Sequence, residues 1–317
     1  MTYASGGLIE ALDYNNFAAS VNAIWGSGGS PTLDYGYGQA SISGVLQSAT
    51  VAASEWATLI SRLDSLDRHQ TNTTSGITPP TSNTTITYLS SIGSLISTLT
   101  SSRLTTALAR VSATATVTNA TTWSGSSVKT IRLTWPNANA MRYFFNAGGN
   151  IQMTAVNSIL CNNSKSLDWD ALLNNCGTVN ITAQDSSKTG GGGTPTINPN
   201  TVLIGFYDLT TSNQSILQQY STTVAGTYTS NYALFQAVLN AAPGSSTTMD
   251  LTMTLVDGSP DEALPAGQND VQGTVRFDVI INAPSSSYLT NVWGIPTATT
   301  TPNVANIYPT VITNTQA

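Results

Sequence analysis

The chain has 317 residues, of which only 8% are charged, and a formal net charge of −6 at pH 7. An average globular protein carries roughly 25% charged residues. The ten Lys and Arg residues form no run, which excludes the basic patch that nucleic-acid binding requires. Six Trp, twelve Tyr and six Phe argue for a folded core rather than a disordered chain. A surface rich in hydroxyl and amide groups and poor in charge favours packing against other subunits.

The first residues have neither the basic region nor the apolar region of a secretory signal peptide. No apolar stretch approaches the length that spans a bilayer. We therefore expect a chain that is made in the cytoplasm and has no membrane partner.

The N-terminal third predicts three amphipathic helices, because its apolar residues recur every three or four positions. These helices are predicted over 13–25, 54–69 and 85–103, with Asp13 and Ser54 as N-caps of the first two. The third helix carries mostly Ser and Thr on its remaining faces, so it needs packing partners from its own chain or another copy. Residues 1–105 are therefore predicted to be a docking and assembly region.

From residue 106 onward the apolar period changes to two, which predicts strands. Predicted strands cover 111–117, 130–135, 150–156, 178–182, 202–207, 232–239, 249–256 and 274–281. A short helix or turn capped by Gly148-Gly149 is predicted at 137–146, and a short helix at 166–173. A flexible hairpin or hinge is predicted at the glycine-rich segment 189–199. The predicted fold class is α+β, mainly β, with an antiparallel β-sandwich-like body over 106–317. The tail after Trp293 is predicted to be extended.

No combination of residues makes a recognisable catalytic, cofactor or metal site. His69 is the single histidine, which excludes metal sites that use several histidines. A Ser-His-Asp triad needs a carboxylate that orients the histidine, and Asp64 and Asp67 lie close to His69 in sequence. On a helix, however, Asp67 lies two residues before His69 and faces elsewhere, so no triad is assigned. The helix dipole favours a histidine near a helix C-terminus, which explains the position of His69.

Other acidic residues are weighed in the same way. Asp168, Asp170 and Asp185 do not identify an acid and a nucleophile for glycoside hydrolysis. The loop 257–262 carries Asp257, Asp261 and Glu262, and it has two interpretations. Its Asp-Gly and Ser-Pro pairs favour an ordinary turn. Its carboxylate oxygens are the ligands that Ca²⁺ uses, but the full EF-hand spacing is absent.

Three further features are assigned no chemistry. The glycines at 190–193 are not followed by Lys and Ser or Thr, so they do not form a phosphate loop. Cys161 and Cys176 are either two free thiols or a disulfide, and the sequence leaves both open. Phe144 and Phe145 are predicted to pack in the core, the alternative being an exposed contact patch.

Several segments between residues 10 and 180 form a recognisable set. They are the Asp13-Tyr-Asn helix, Gly36-Tyr-Gly-Gln39, the Trp56 helix ending in Arg68-His-Gln70, Arg142-Tyr-Phe-Phe-Asn-Ala-Gly-Gly149, and the Trp169 to Gly177 segment. Together they resemble a recurring virion structural protein of tailed bacteriophages, known from marine and cyanobacterial phages. The Arg142 to Gly149 stretch is the most specific of them, and residues 183–317 carry no matching motif.

The resemblance implies a non-enzymatic structural component of a tailed phage particle, without cofactor or metal. We expect it to assemble in multiple copies at the neck, tail or fibre, with other copies and neighbouring virion proteins as partners. Its expected location is the virion, after synthesis in the cytoplasm of the bacterial host. The alternatives are a capsid decoration protein and a receptor- or glycan-binding module, for which Trp123 and Trp293 are the candidate exposed aromatics.

Overall fold

The computed structural model describes residues 11–25, 41–47, 49–71, 73–81, 86–87, 89–103, 110–118, 123, 125–159, 163–222, 228–259, 271–284 and 310–316. It has two compact units. The helical unit comprises 1–109, 146–148 and 284–305, and the β unit comprises 110–145, 149–283 and 306–317. The predicted boundary at 105/106 lies outside the described residues and stays a prediction.

The helical unit contains α1 (Ala11–Trp25), α2 (Ala53–Thr71) and α3 (Leu89–Ser101), which pack against one another. Tyr14 and Phe17 of α1 place their rings edge-on to Trp56 of α2, with centroid distances of 5.4 and 6.2 Å. All three side chains are buried, and burial of each such side chain contributes roughly 1.5–3 kcal/mol. The apolar stripe predicted from the sequence is therefore the surface that joins these helices.

Two asparagines of α1 hold the segment that follows the helix. The amide of Asn15 both donates to and accepts from the backbone of Val45, at 2.8 Å each. Asn22 makes the same pair of bonds with Ile42. Because a side-chain amide has the donor and acceptor of a peptide group, α1 pairs with residues 42–45 as a neighbouring strand would.

The predicted N-caps of the first two helices are wrong. Asp13 is already the third residue of α1, where a carboxylate is favoured by the helix dipole. In α2 the Glu55 carboxylate accepts the backbone N–H of Ala52 at 2.6 Å, which is the arrangement of a capping box without the N-cap hydroxyl. Glu55 thus satisfies the free N–H at this helix end, and Ser54 is left inside the first turn.

The β unit contains two five-stranded sheets. Their strands are β1 (Arg110–Thr118), β2 (Ser126–Thr134), β3 (Asn150–Ile159), β4 (Thr178–Ile181), β5 (Ser186–Thr189), β6 (Gln214–Tyr220), β7 (Tyr232–Leu239), β8 (Thr248–Val256), β9 (Gly273–Pro284) and β10 (Thr310–Gln316). The first sheet has the order β1-β9-β3-β4-β5 and the second β10-β2-β8-β7-β6. Registered pairs in both sheets are antiparallel.

Strict alternation of buried and half-buried residues along β7 and β8 gives the second sheet one inward face. Phe235 of β7 lies 6.0 Å, between ring centroids, from Phe277 of β9 in the first sheet, so the two inward faces meet in a sandwich. The predicted α+β class with an antiparallel sandwich-like body is confirmed. Helices and strands take up about equal shares of the described residues.

The predicted strand at 202–207 is wrong. This segment contains the end of the short helix α6 (Pro199–Val202) and a 3₁₀ turn (Phe206–Asp208). Asn198 caps α6, and Leu203 ends it in the left-handed region at φ 48°. The apolar residues at 202–207 alternate, but Phe206 reaches the core from a turn and Leu203 is exposed.

Three strands were not predicted: β5, β6 and β10. Their sequences are mostly Ser, Thr, Gln and Asn, so the period-two apolar signal is weak. β6 also contains a bulge between Ser215 and Leu217, which interrupts the alternation. Segment 189–199, predicted as flexible, bonds to this strand through Thr196 and Ile197. In the tail, β10 pairs with β2.

The Arg142 to Gly149 stretch forms the end of α4 (Ala138–Asn146) and the turn after it. Gly148 has φ 80°, and the N–H of Gly149 donates to the Phe144 carbonyl at 2.9 Å. These are the left-handed residue and the long backbone bond of a Schellman cap. Phe144 and Phe145 are fully buried, which confirms their predicted core role, and Phe145 stacks on Phe206 at 4.4 Å.

We expect Gly149→Ala to lower the free energy of unfolding by about 1–3 kcal/mol, the usual cost of overpacking. A Cβ at this position would lie 2.5 Å from the Phe144 carbonyl oxygen and 2.9 Å from its ring. Urea unfolding of the full chain measures the change. Gly192→Ala is the matched control, because its Cβ would meet only the side chain of Asn175. Equal stability of both variants would contradict the close-approach argument.

Candidate functional site

The residues weighed as catalytic candidates in the N-terminal third have structural partners. His69 is fully buried in the last turn of α2. The Asp64 carboxylate binds Arg68 at 2.9 Å and accepts the N–H of Ser75. The Asp67 carboxylate accepts the hydroxyl of Thr71. The two carboxylates are thus held by groups close to them in the sequence.

The acidic residues of the body are bonded to different groups. Asp168 accepts the Ser221 hydroxyl, Asp170 accepts the Asn174 amide at 3.3 Å, and Asp185 accepts the Thr182 hydroxyl. Asp257 pairs with Lys165, and Asp261 and Glu262 lie outside the described residues. Within the described part of the chain, no three His, Cys, Asp or Glu side chains form a metal-binding group.

Trp123 is not the exposed platform that a glycan site would need. It is buried, and its ring packs edge-on against Trp169 at 4.8 Å. The backbone of Trp123 pairs with Val271 through two hydrogen bonds, which hold the residue in place beside β9. Trp293 lies outside the described residues.

Cys176 is a free thiol at the end of helix α5 (Ser164–Cys176). Burial raises its thiol pKa to about 12, so the reactive thiolate is scarce at neutral pH. Cys161 lies outside the described residues. The thiol of Cys176 donates to the Leu172 carbonyl at 3.4 Å, which fits the role of a small core residue.

The second sheet turns one face outward, away from the sandwich core. We call it the outer face, and it consists of half-buried or exposed residues that alternate with the core residues. Its described members are Val128, Thr130, Arg132, Thr134, Ser215, Gln218, Tyr220, Tyr232, Leu234, Gln236, Val238, Thr248, Asp250, Thr252, Thr254 and Val256. Most are hydroxyl, amide, aliphatic or aromatic residues.

The outer face has no net charge among its described residues. Arg132 and Asp250 face each other in register on β2 and β8 and form two hydrogen bonds of 2.6 Å. The bond and the charge of Asp250 raise the pKa of Arg132. Next to them Thr130 and Thr252 bond through their hydroxyls at 3.0 Å. On the outer face of these four neighbouring strands, the charges of Arg132 and Asp250 therefore neutralise each other.

Lys129 is the least expected residue of the core. It lies on β2 between the inward residues Ser127 and Ile131, is fully buried, and donates to the Ser127 hydroxyl at 2.7 Å. Burial lowers its pKa from 10.5 to about 8. Extending the alternation of Ile131 and Leu133 backwards along the strand would have placed this lysine inside. The sequence therefore contained a signal for it.

A second buried lysine lies at the start of α5. Lys165 Nζ is 2.6 Å from Asp257 Oδ2, and both side chains are 3% exposed. Nearby on the same helix, Asn163 caps the N-terminus through the N–H of Ser166, and the Ser166 hydroxyl accepts the N–H of Gln272. The ion pair thus joins α5 to the end of β8.

Asp168 extends this polar cluster. Its Oδ1 accepts the buried Ser221 hydroxyl, while its Oδ2 is buried without a hydrogen-bond partner among the described residues. Ser221 and Ser259 bond in turn to the backbone oxygen and the side-chain oxygen of Asn231. Sequence reasoning missed these contacts, because nothing local shows that Lys165 meets Asp257 or that Asp168 meets Ser221.

Comparison with models of protein families, with curated proteins and with solved structures finds no match for this chain. In the described part of the chain, no helix combines the length and apolar character needed to cross a bilayer.

Lys129 predicts a pH dependence of stability. Its pKa is about 8 in the folded chain and 10.5 ordinarily, so between these values the unfolded chain binds more protons. The free energy of unfolding therefore rises with pH between about 8 and 10.5, as far as it depends on Lys129. Below pH 8 the charged lysine lowers the stability of the fold by its full desolvation cost. We expect Lys129→Met to be more stable at pH 7 by up to about 3 kcal/mol and to lose this rise.

Urea unfolding at several pH values between 7 and 10 measures the difference between variant and wild type. Cys176 is present in both proteins, so its contribution to the pH dependence cancels in the difference between them. Lys188→Met is the control, because Lys188 is partly exposed and donates to the Gly192 carbonyl. A difference between wild type and Lys129→Met that does not change with pH would show that Lys129 keeps its ordinary pKa.

Proposed function

We propose that this chain is a non-enzymatic structural component of a tailed phage particle, associated with the neck, tail or fibre and present in multiple copies. Support for the phage particle comes from the resemblance that centres on Arg142 to Gly149. Support for assembly comes from the outer face, and this is the observation that carries the proposal.

The occupant of the outer face is another copy of the same chain. When identical surfaces meet, an unbalanced charge lies near its own copy and repels it. The outer face avoids this cost, because Arg132 and Asp250 neutralise each other and the remaining described residues are uncharged. Interface cores are likewise depleted of Lys, Glu and Asp and enriched in aromatic residues such as Tyr.

The hydroxyl and amide groups of this face supply the hydrogen bonds of the contact. The Gln236 amide reaches Ser215 at 3.3 Å, and the Gln218 amide reaches the Tyr220 hydroxyl at 3.3 Å. These bonds are long, so the groups can exchange them for bonds to a second copy without burying an unpaired charge. In this proposal the N-terminal helices contact neighbouring particle proteins.

Quantitative mass spectrometry of purified particles tests the proposal. We expect the chain in a fixed number of copies per particle, close to a small multiple of the portal ring. A number comparable with that of the major capsid protein would favour the capsid decoration alternative. Absence of the chain from particles would overturn the structural proposal.

Thr254→Lys tests the outer face itself. Thr254 is half-buried on β8, between Val128 and Leu234 in register. A lysine there would meet like charge on the second copy, which costs several kcal/mol. We expect self-association and incorporation into particles to fall more than about tenfold, with unchanged circular dichroism.

Thr211→Lys is the matched control, because Thr211 is exposed in the turn before β6. It should assemble as the wild type does. Normal incorporation of Thr254→Lys would remove the outer face from the assembly contact.

A glycan-binding module is the second candidate, and one pair of residues favours it. Tyr220 and Tyr232 lie side by side on β6 and β7, half-buried, with ring centroids 5.1 Å apart and the Gln218 amide next to them. Such rings can stack on a sugar while amides bond its hydroxyls. Glycan-array binding that is lost in Tyr220→Ala but kept in Tyr220→Phe would support this candidate, and absence of binding by the wild type would remove it.

A further inference from the structure

The ion pair of Lys165 and Asp257 places an amine and a carboxyl group at bonding distance inside the β unit. Lys165 Nζ and Asp257 Oδ2 are 2.6 Å apart, and each side chain is 3% exposed. The two residues are far apart in the sequence and come from different elements, α5 and the end of β8. A bond between them would tie the helix to the sheet.

Burial makes charge on both groups costly. Trp169 follows Lys165 by one helical turn and packs on Trp123, and both rings are buried. Removing an ammonium and a carboxylate from water costs several kcal/mol per ion, and their attraction only partly offsets this cost. Transfer of one proton from the ammonium to the carboxylate within this pair gives the neutral amine and the neutral acid, which are the reactive forms, and burial lowers the cost of that transfer.

A third carboxyl group lies on the same buried helix face as Lys165. Asp168 follows Lys165 by three residues, so both side chains lie on the buried face of α5. Ser221 holds its Oδ1, and its Oδ2 is buried and has no hydrogen-bond partner in the described part of the chain. A buried carboxylate oxygen without a hydrogen-bond partner, on the helix face that carries the amine, is a candidate proton carrier for a reaction of that amine.

We propose that Lys165 and Asp257 condense into an intramolecular isopeptide bond. The lone pair of Lys165 Nζ attacks Cγ of the protonated Asp257 carboxyl group, and a C–N bond forms. Asp168 takes a proton from the nitrogen and delivers it to the Asp257 hydroxyl oxygen, whose bond to Cγ then breaks. One water molecule leaves, no electrons are transferred to an outside reagent, and Asp168 ends in its starting state.

The proximity of the amine and the carboxyl group lowers the barrier to this step. Groups held in reacting geometry behave as though present at effective concentrations on the order of 10⁵ M or more. The amide that results is neutral, so the cost of burying two ions disappears. The bond would also close the chain between residues 165 and 257, which restricts the unfolded state as a disulfide does.

Mass spectrometry of the purified full-length chain in denaturant tests the proposal. We expect a mass below that of the sequence by one water molecule. After trypsin digestion, peptide 143–188 should remain uncleaved at Lys165 and be joined to peptide 189–276. Folded protein with the full sequence mass and separate peptides 143–165, 166–188 and 189–276 would overturn the proposal and leave an ordinary buried ion pair.

Three variants assign the roles, with circular dichroism to confirm folding. Lys165→Arg keeps the positive charge but should show no loss of water. Lys188→Arg is the matched control and should lose water as the wild type does. Asp168→Asn should slow the loss of water more than about tenfold while the fold is kept. Rapid water loss in Asp168→Asn would remove the role of Asp168, and water loss in Lys165→Arg would exclude Lys165 as the amine.

Discussion

The packing of the two inward sheet faces is the interaction on which the rest of the β unit depends. Once Phe235 and Phe277 meet across the sandwich, the period of two along β2, β7 and β8 decides which of their side chains point inward. The same constraint that buries Leu251 and Met253 also buries Lys129, because all three point inward. It turns Thr252 and Thr254 outward. Core and outer face are two results of one alternation.

Polar groups in this core are held in small sets rather than spread evenly. Lys129 has Ser127, Lys165 has Asp257, and Asp168 has Ser221. A buried charge is tolerated only with such a partner, because desolvation otherwise outweighs packing. Lys129 differs from Lys165 in having a hydroxyl instead of a carboxylate as partner, so burial alone governs its pKa. The two lysines thus present different chemistry within one fold.

Local sequence rules predicted a helix C-terminus correctly and two helix N-termini incorrectly. The Gly148-Gly149 pair was predicted to end α4, and it does so with a left-handed residue and a backbone bond. Asp13 and Ser54 were predicted to begin helices, and both lie inside them. A glycine turn depends on backbone freedom that few residues share, whereas several residue types can satisfy the N–H groups at a helix start. Glu55 did so for α2.

The sequence by itself determined the α+β class, the amphipathic helices and the strands with clean alternation, because apolar period is a local property of the chain. It also placed Phe144 and Phe145 in the core. Only the tertiary structure decided that 202–207 is not a strand and that polar segments such as β6 complete a sheet, since backbone pairing can stabilise a strand whose side chains carry little signal. The meeting of Lys165 and Asp257 was likewise decided by the fold, because the two residues are distant in sequence.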